Sequence, residues 1–232
     1  MSTPDRATEL AAGLAAVEQR VAAACAAAGR ARTEVVLIAV TKTWPASDAA
    51  TLRDLGVLDL AENRDEEAAG KAAEVTGVRW HFVGQVQTRK ARSVASYADV
   101  VHSLDRPKLA EALAAGAQRV GRTLDVLVQV SLDDRPERGG VAPAGVLPLA
   151  ALAAGLDGLR LAGVMAVAPL GEPAGPAFDR LAEVAAALRR EHPEARAVSA
   201  GMSGDLEQAV AAGATHLRVG TALLGHRAPL LR

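Results

Sequence analysis

The chain has 232 residues, half of them hydrophobic but only 2 % aromatic, and its 26 basic residues against 27 acidic ones leave a net charge of −1. That length and composition fit one α/β domain over residues 1–232, with alanine, valine and leucine filling the core, and disfavour an aromatic-rich β-sandwich. The charge balance offers no field to gather nucleic acid or anionic lipid, although a local cationic pocket for one phosphate is compatible with it.

The first thirty residues read as an alanine-rich helix stopped by Gly29. Cys25, the single cysteine, lies in that helix; it excludes an intramolecular disulfide framework and reads as a buried, inert thiol. No apolar run reaches the roughly 18 residues of a spanning helix, so a cytoplasmic protein is expected. Residues 35–40 (Val-Val-Leu-Ile-Ala-Val) form a continuous apolar run, as in a strand buried on both faces. Ser47 is placed to cap a helix running to Leu55, and Gly56 to end it. Further strands are expected at 57–61, 79–83, 99–102, 124–131, 159–165, 195–199 and 216–219, with helices among the segments between them, including 62–74, 106–120, 174–191 and 206–212. Eight strands alternating with helices after one extra N-terminal helix predict parallel pairing, right-handed crossovers and a single (β/α)8 TIM-type barrel. The rival architecture is an open doubly wound sheet; both gather ligands at the C-terminal strand ends.

Lys42 directly follows the first strand, so it should emerge half in the core and half in the mouth, where partial desolvation makes an amine a better nucleophile toward an aldehyde. The chain has only four lysines (Lys42, Lys71, Lys90 and Lys108) and otherwise uses arginine, which cannot form an imine. The plainer alternative is a lysine snorkelling from a strand end. Ser199-Ala200-Gly201-Met202-Ser203-Gly204-Asp205 is a glycine-rich turn between a strand and a helix, an anion site in form, with Ser203 as an extra donor. It also reads as a βα turn capped by Ser203 or Asp205. Leu217-Arg218-Val219-Gly220-Thr221 repeats the strand–glycine–helix pattern, and by the strand count these are the seventh and eighth loops, which in barrels often share a phosphate. Arg218 should point into the barrel or its mouth and needs a partner there.

Asn63 is placed to meet a ligand oxygen or to cap the next helix, whose Asp65-Glu66-Glu67 reads as a solvated face. His81, on the third strand, reads as a hydrogen-bonded core residue, while His102, His192, His216 and His226 are too scattered for a metal site, so no metal is expected. An amine, a double phosphate loop and an internal arginine on one face suit a ligand that joins an aldehyde to a phosphate, and pyridoxal 5′-phosphate (PLP) is such a ligand.

The chain resembles the YggS/PROSC family of PLP homeostasis proteins over nearly its whole length. The resemblance rests on Ala39-Val40-Thr41-Lys42-Thr43, Ala61-Glu62-Asn63, residues 80–90 (Trp-His-Phe-Val-Gly-Gln-Val-Gln-Thr-Arg-Lys), Val101-His102-Ser103-Leu104-Asp105, residues 161–167, Gly201-Met202-Ser203-Gly204-Asp205 and residues 219–225. It implies a fold-type III PLP-binding barrel similar to that of alanine racemase. Lys42 would then carry PLP as a Schiff base, Ser203, Gly220 and Thr221 would hold the phosphate, Arg218 would face the pyridine nitrogen, and Asn63 and Met165 would line the ring. The sequence departs from the family at Ala61 (usually glycine), Arg64 (usually tyrosine) and Arg138 (commonly lysine), which bears on the pocket rim.

The resemblance implies a PLP carrier or buffer, delivering to PLP-dependent apo-enzymes and not itself an enzyme; a monomer is expected. Two rivals are an amino-acid racemase-like enzyme and a cofactor-free Schiff-base aldolase. The racemase needs a second base opposite the lysine, and the only tyrosine, Tyr97, precedes the fourth strand, away from the expected mouth.

Overall fold

The computed structural model describes residues 5–133 and 139–225. Eight strands, β1 (Val36–Val40), β2 (Asp59–Glu62), β3 (Arg79–Phe82), β4 (Val100–Leu104), β5 (Leu124–Gln129), β6 (Leu159–Met165), β7 (Ala197–Ser199) and β8 (His216–Val219), close a barrel in chain order. Every pairing is parallel, including β8 onto β1, so the open-sheet alternative is excluded. Nine described helices surround it: α1 (Arg6–Ala27), α2 (Ala46–Asp54), α3 (Asp65–Glu74), α4 (Ala91–Tyr97), α5 (Pro107–Arg119), α6 (Val146–Ala154), α7 (Ala174–Glu191), α8 (Leu206–Ala211) and α9 (Thr221–Leu224).

The two faces of each strand have different jobs, because successive side chains alternate. Leu37, Ala39, Leu60, Trp80 and Phe82 point outward and join the large core under the helices. Ile38, Val40 and Ala61 pack in one interior group, and Val100, Leu127 and Met165 in another. Between these two apolar groups the barrel interior is polar, and that gap sets up the site.

α1 seals the seam where β8 meets β1. It buries Leu10, Val17, Val21, Ala24 and Cys25. A Cβ on Gly13 would come within 2.3 Å of the Leu223 carbonyl oxygen, so glycine lets α1 lie directly on α9. Arg6 ties the junction by reaching Asp48 (2.6 Å), the Leu224 carbonyl (3.1 Å) and the Trp44 ring. By length and composition α1 is long and apolar enough to cross a bilayer, although Glu9, Glu18 and Arg20 interrupt its apolar run. Its Arg6 and Arg20 nevertheless pair with Asp48 and Glu207 of other barrel helices.

Three local readings also change. Pro45, not Ser47, occupies the position before α2, and no side chain caps that helix. The second strand begins at Asp59 and includes Glu62, which had been assigned to the following helix. α4 and α6 were not among the helices named from sequence. α4 is only seven residues, and α6 is an almost unbroken apolar run (Val-Leu-Pro-Leu-Ala-Ala-Leu-Ala-Ala) without a helical period.

Candidate functional site

The C-terminal ends of β1, β2, β7 and β8 bring the sequence candidates to one end of the barrel. Lys42 lies two residues beyond β1 and is solvent-exposed, so the expected half-burial of its amine is not observed. No described residue hydrogen-bonds or ion-pairs with that amine. The other lysines are differently placed. Lys71 is buried against Thr41, Glu62 and Glu67, Lys90 pairs with Asp65 and Glu66, and Lys108 lies exposed in the first turn of α5.

The loops after β7 and β8 join through Ser203, whose Oγ accepts the Ala222 amide at 3.1 Å. The Ser203 hydroxyl keeps its own hydrogen to donate. Gly201 adopts φ +88°, and a Cβ there would lie 2.6 Å from Ala209 and 2.9 Å from Leu217, so only glycine folds this turn onto α8. Asp205 occupies the N-cap position of α8, but its side chain makes no capping hydrogen bond; its carboxylate instead accepts the Met202 amide at 2.5 Å. A Cβ on Gly220 would meet the Val40 carbonyl oxygen at 3.3 Å, which places this glycine and Thr221 beside the end of β1.

Arg218 points into the barrel and is almost fully buried. Its guanidinium donates to Ser199 Oγ at 2.7 Å and to the Ala166 carbonyl at 2.9 Å, the partners its burial demands. Burial pulls its pKa down to about 10, which leaves it charged at neutral pH. A planar guanidinium has five N–H donors, so others remain for a ligand acceptor. Ser199 continues the chain: His102 Nδ1 lies 2.9 Å from its Oγ, His102 Nε2 lies 2.8 Å from His81 Nδ1, and His81 Nε2 lies 2.8 Å from Asp59 Oδ1.

The protons in this relay follow from its ends. Burial, the largest influence, holds His81 below its usual pKa and His102 well below, so both are neutral. Asp59 is an acceptor-only carboxylate: burial pushes its pKa up, but the hydrogen bond from His81 and the positive charge of Arg79 hold it below its usual value. His81 therefore donates from Nε2 and accepts at Nδ1, His102 donates from Nε2, and the Ser199 hydroxyl donates to His102 Nδ1. Every donor points from Arg218 toward Asp59. The sequence reading of His81 as a hydrogen-bonded core residue holds, and its partner is His102, which the sequence weighs only as a metal ligand. The signal was available: both fall on inward-facing positions of adjacent strands.

Asn63 does not cap α3, because Arg64 occupies that position; its Oδ1 is buried without a partner. Gly84 fixes it in place, since a Cβ there would sit 2.1 Å from the Asn63 carbonyl oxygen. An orphaned buried acceptor at a strand end suits a ligand hydroxyl or N–H. Met165 ends β6, buried within the barrel interior, one residue before the carbonyl that anchors Arg218. Glu67, read from sequence as part of a solvated face, instead accepts the Thr43 amide and Lys71, and Asp65 accepts Ser93 and Tyr97. Tyr97 is thereby held on α4. Arg138 and His226 lie outside the described residues.

An eight-stranded parallel barrel with an unpaired lysine after β1 and joined glycine loops after β7 and β8 has the form of an alanine racemase-type barrel, and residues 13–228 match the family described as alanine racemase, N-terminal domain. The chain is 43 % identical over 245 aligned residues to the pyridoxal phosphate homeostasis protein of Mycobacterium tuberculosis (strain H37Rv), covering 97 % of this chain and 95 % of the relative. The corresponding protein of Escherichia coli K12 is 38 % identical over 232 residues, with 94 % and 97 % covered. PipY of Synechococcus elongatus PCC7942, solved with PLP bound, superposes with a TM-score of 0.81 at 33 % identity, covering 93 % of this chain and all of PipY. The chain belongs to the pyridoxal phosphate homeostasis protein family.

Proposed function

We propose that this protein binds PLP at the C-terminal end of its barrel, linked to Lys42 as a Schiff base, and serves PLP homeostasis as a carrier rather than as a dedicated enzyme. The observation that carries the reading is the convergence of one unpaired amine, two loops joined through Ser203, and a buried arginine with donors to spare. PLP needs each of them: an amine for its aldehyde, donors for its phosphate, and a donor for its pyridine nitrogen. Ser203, Gly220 and Thr221 would hold the phosphate, Arg218 would face the ring nitrogen, and Asn63 and Met165 would line the ring. PLP bound in PipY, at 33 % identity, supports the same ligand here.

When bound, PLP supplies an electron sink for carbanion chemistry, and that sink is strongest with a protonated ring nitrogen. Arg218 stays charged and offers only donors, so it keeps the nitrogen an unprotonated acceptor. The relay behind it hands its hydrogens away from the ligand and supplies no acid there. Tyr97 is engaged with Asp65 and does not furnish the second base that racemisation requires. The names of the relatives are those of homeostasis proteins, which agrees with a carrier. Action as a cytoplasmic monomer that hands PLP to apo-enzymes completes the proposal.

The test is the visible spectrum of purified protein loaded with PLP, before and after borohydride. The expected result is a yellow Schiff-base band and a stable pyridoxyl adduct mapped by mass spectrometry to Lys42, both absent in Lys42→Ala. An adduct on Lys71, Lys90 or Lys108 would sink the assignment. Pyridoxal should bind far more weakly than PLP, and equal affinity for the two would remove the phosphate site. Exchange of an amino-acid α-proton orders of magnitude faster than with free PLP, with saturation kinetics, would make the protein an enzyme.

A further inference from the structure

We infer that Lys71, with Glu67, is a positioning pair for Lys42: it clamps the peptide groups on both sides of that residue and fixes where its side chain leaves the barrel. The inference rests on the proposed role of Lys42. Upstream, Lys71 Nζ donates to the Thr41 carbonyl oxygen at 2.8 Å. Downstream, the Thr43 amide donates to Glu67 Oε1 at 2.6 Å, and Lys71 donates to that same oxygen at 2.8 Å. The third hydrogen of the ammonium goes to Glu62 Oε1 at 2.5 Å, which also accepts the Thr41 hydroxyl at 2.6 Å.

The clamp holds an unfavourable backbone. Thr43 has φ +68°, the one positive φ outside glycine among the described residues. A β-branched residue adopts that conformation only when its surroundings over-determine it, and such positions gather at functional sites. The strained torsion follows the second of the two fixed peptide groups, in a turn closed by the Trp44 amide on the Thr41 carbonyl, and Lys42 is the residue between those groups. Glu62 and Thr41 face outward from β2 and β1 toward α3, so this cluster supports the turn from behind and leaves the mouth clear.

Residue chemistry agrees. Three carbonyl or carboxylate oxygens around one nitrogen match the three N–H bonds of an ammonium, whereas the planar fork of arginine does not fit them. In a chain with only four lysines, this explains why a second lysine is kept in a buried place where arginine is otherwise preferred.

The test compares PLP with 4′-deoxypyridoxine 5′-phosphate, which keeps the ring and phosphate but has no aldehyde to link. Glu67→Ala removes the acceptor of the Thr43 amide at a partly exposed site on α3 and should leave the fold intact. Losing a hydrogen bond to a charged group predicts about a tenfold slower formation of the Lys42 linkage and about tenfold weaker PLP binding, with the deoxy analogue bound as by the wild type. Glu67→Gln, which keeps an acceptor oxygen, should recover most of the loss. In the ligand-free protein, hydrogen exchange at the Thr43 amide should accelerate in Glu67→Ala and not in Glu67→Gln. Unchanged linkage rate in Glu67→Ala overturns the clamp, as does an equal loss for PLP and the deoxy analogue, which marks general damage. Failure of the wild type itself to give a Lys42 adduct defeats the underlying assignment instead.

Discussion

Two buried polar networks flank the mouth of this barrel, and they are built on opposite principles. Behind β1 and β2, between sheet and helix, lies a charged cluster in which Lys71 meets Glu62 and Glu67. Inside the barrel, behind Arg218, runs a relay whose middle members, Ser199, His102 and His81, are neutral. The charged cluster fixes backbone, because an ammonium with three acceptors locks carbonyl and carboxylate in one arrangement. The neutral relay fixes a side chain, because a one-way sequence of donors permits a single set of tautomers and one orientation of the guanidinium. A formal charge at each step of the relay would cost more than its hydrogen bonds return in so enclosed a space. The site thus positions an amine by charge and an arginine by tautomer.

The sharpest way to break the contrast is to remove a charge from one network and a neutral link from the other. Lys71→Met leaves Glu62, wholly buried, without its cation and should cost about 3–5 kcal/mol of stability in denaturant titrations. Adding Glu62→Leu to Lys71→Met should return much of that loss, since an apolar pair no longer strands a charge. Ser199→Ala cuts the relay between His102 and Arg218 and should cost less, about 1–3 kcal/mol for the buried groups left without a partner. Equal costs for the two cuts would erase the distinction.

The two networks also differ in the sign of their pH dependence. Burial lowers His81, His102 and His216, the last to about 4, so the unfolded chain takes up protons near the ordinary value of 6.5 while the folded chain does not. Their stabilisation is complete above 6.5 and is lost as pH falls toward the folded values. Glu62 runs the other way: burial raises it despite Lys71 and Thr41, so its contribution is present below its ordinary 4.5 and is lost as pH rises through the folded value. Stability measured from pH 7 to 5 should therefore fall, and His102→Leu should make the slope shallower by about 1.4 kcal/mol per pH unit. An unchanged slope would show that His102 is protonated in the folded protein.

The smallest expected effect on stability belongs to the residue at the centre of the proposed function. Lys42→Ala removes an exposed side chain with no partner among the described residues and should shift the stability of ligand-free protein by no more than about 0.5 kcal/mol, measured by thermal unfolding. A large loss would place Lys42 in the structural framework instead of at the service of a ligand.

The sequence by itself determined the barrel. The apolar run at residues 35–40, the glycines that end βα turns and the regular β-α alternation report local backbone preference and burial, which a chain carries in its pattern. It likewise marked Lys42, Ser203, Arg218, Gly220 and Thr221, because position relative to a strand end is a local property. Two helices escaped it: α4 offers only seven residues, and α6 is apolar all round. What only the tertiary structure decided is which side chains meet. His81 and His102 are 21 residues apart and His102 and Ser199 are 97 apart, yet barrel closure aims all three inward at hydrogen-bonding distance. Glu67 looked like a solvated helix face until the turn after β1 was seen to bring the Thr43 amide onto it. Lys71 carried no mark in the sequence beyond its rarity. Its meaning depends on three oxygens, from the turn after β1, from β2 and from α3, converging on one nitrogen, a coincidence in space that no spacing along the chain encodes.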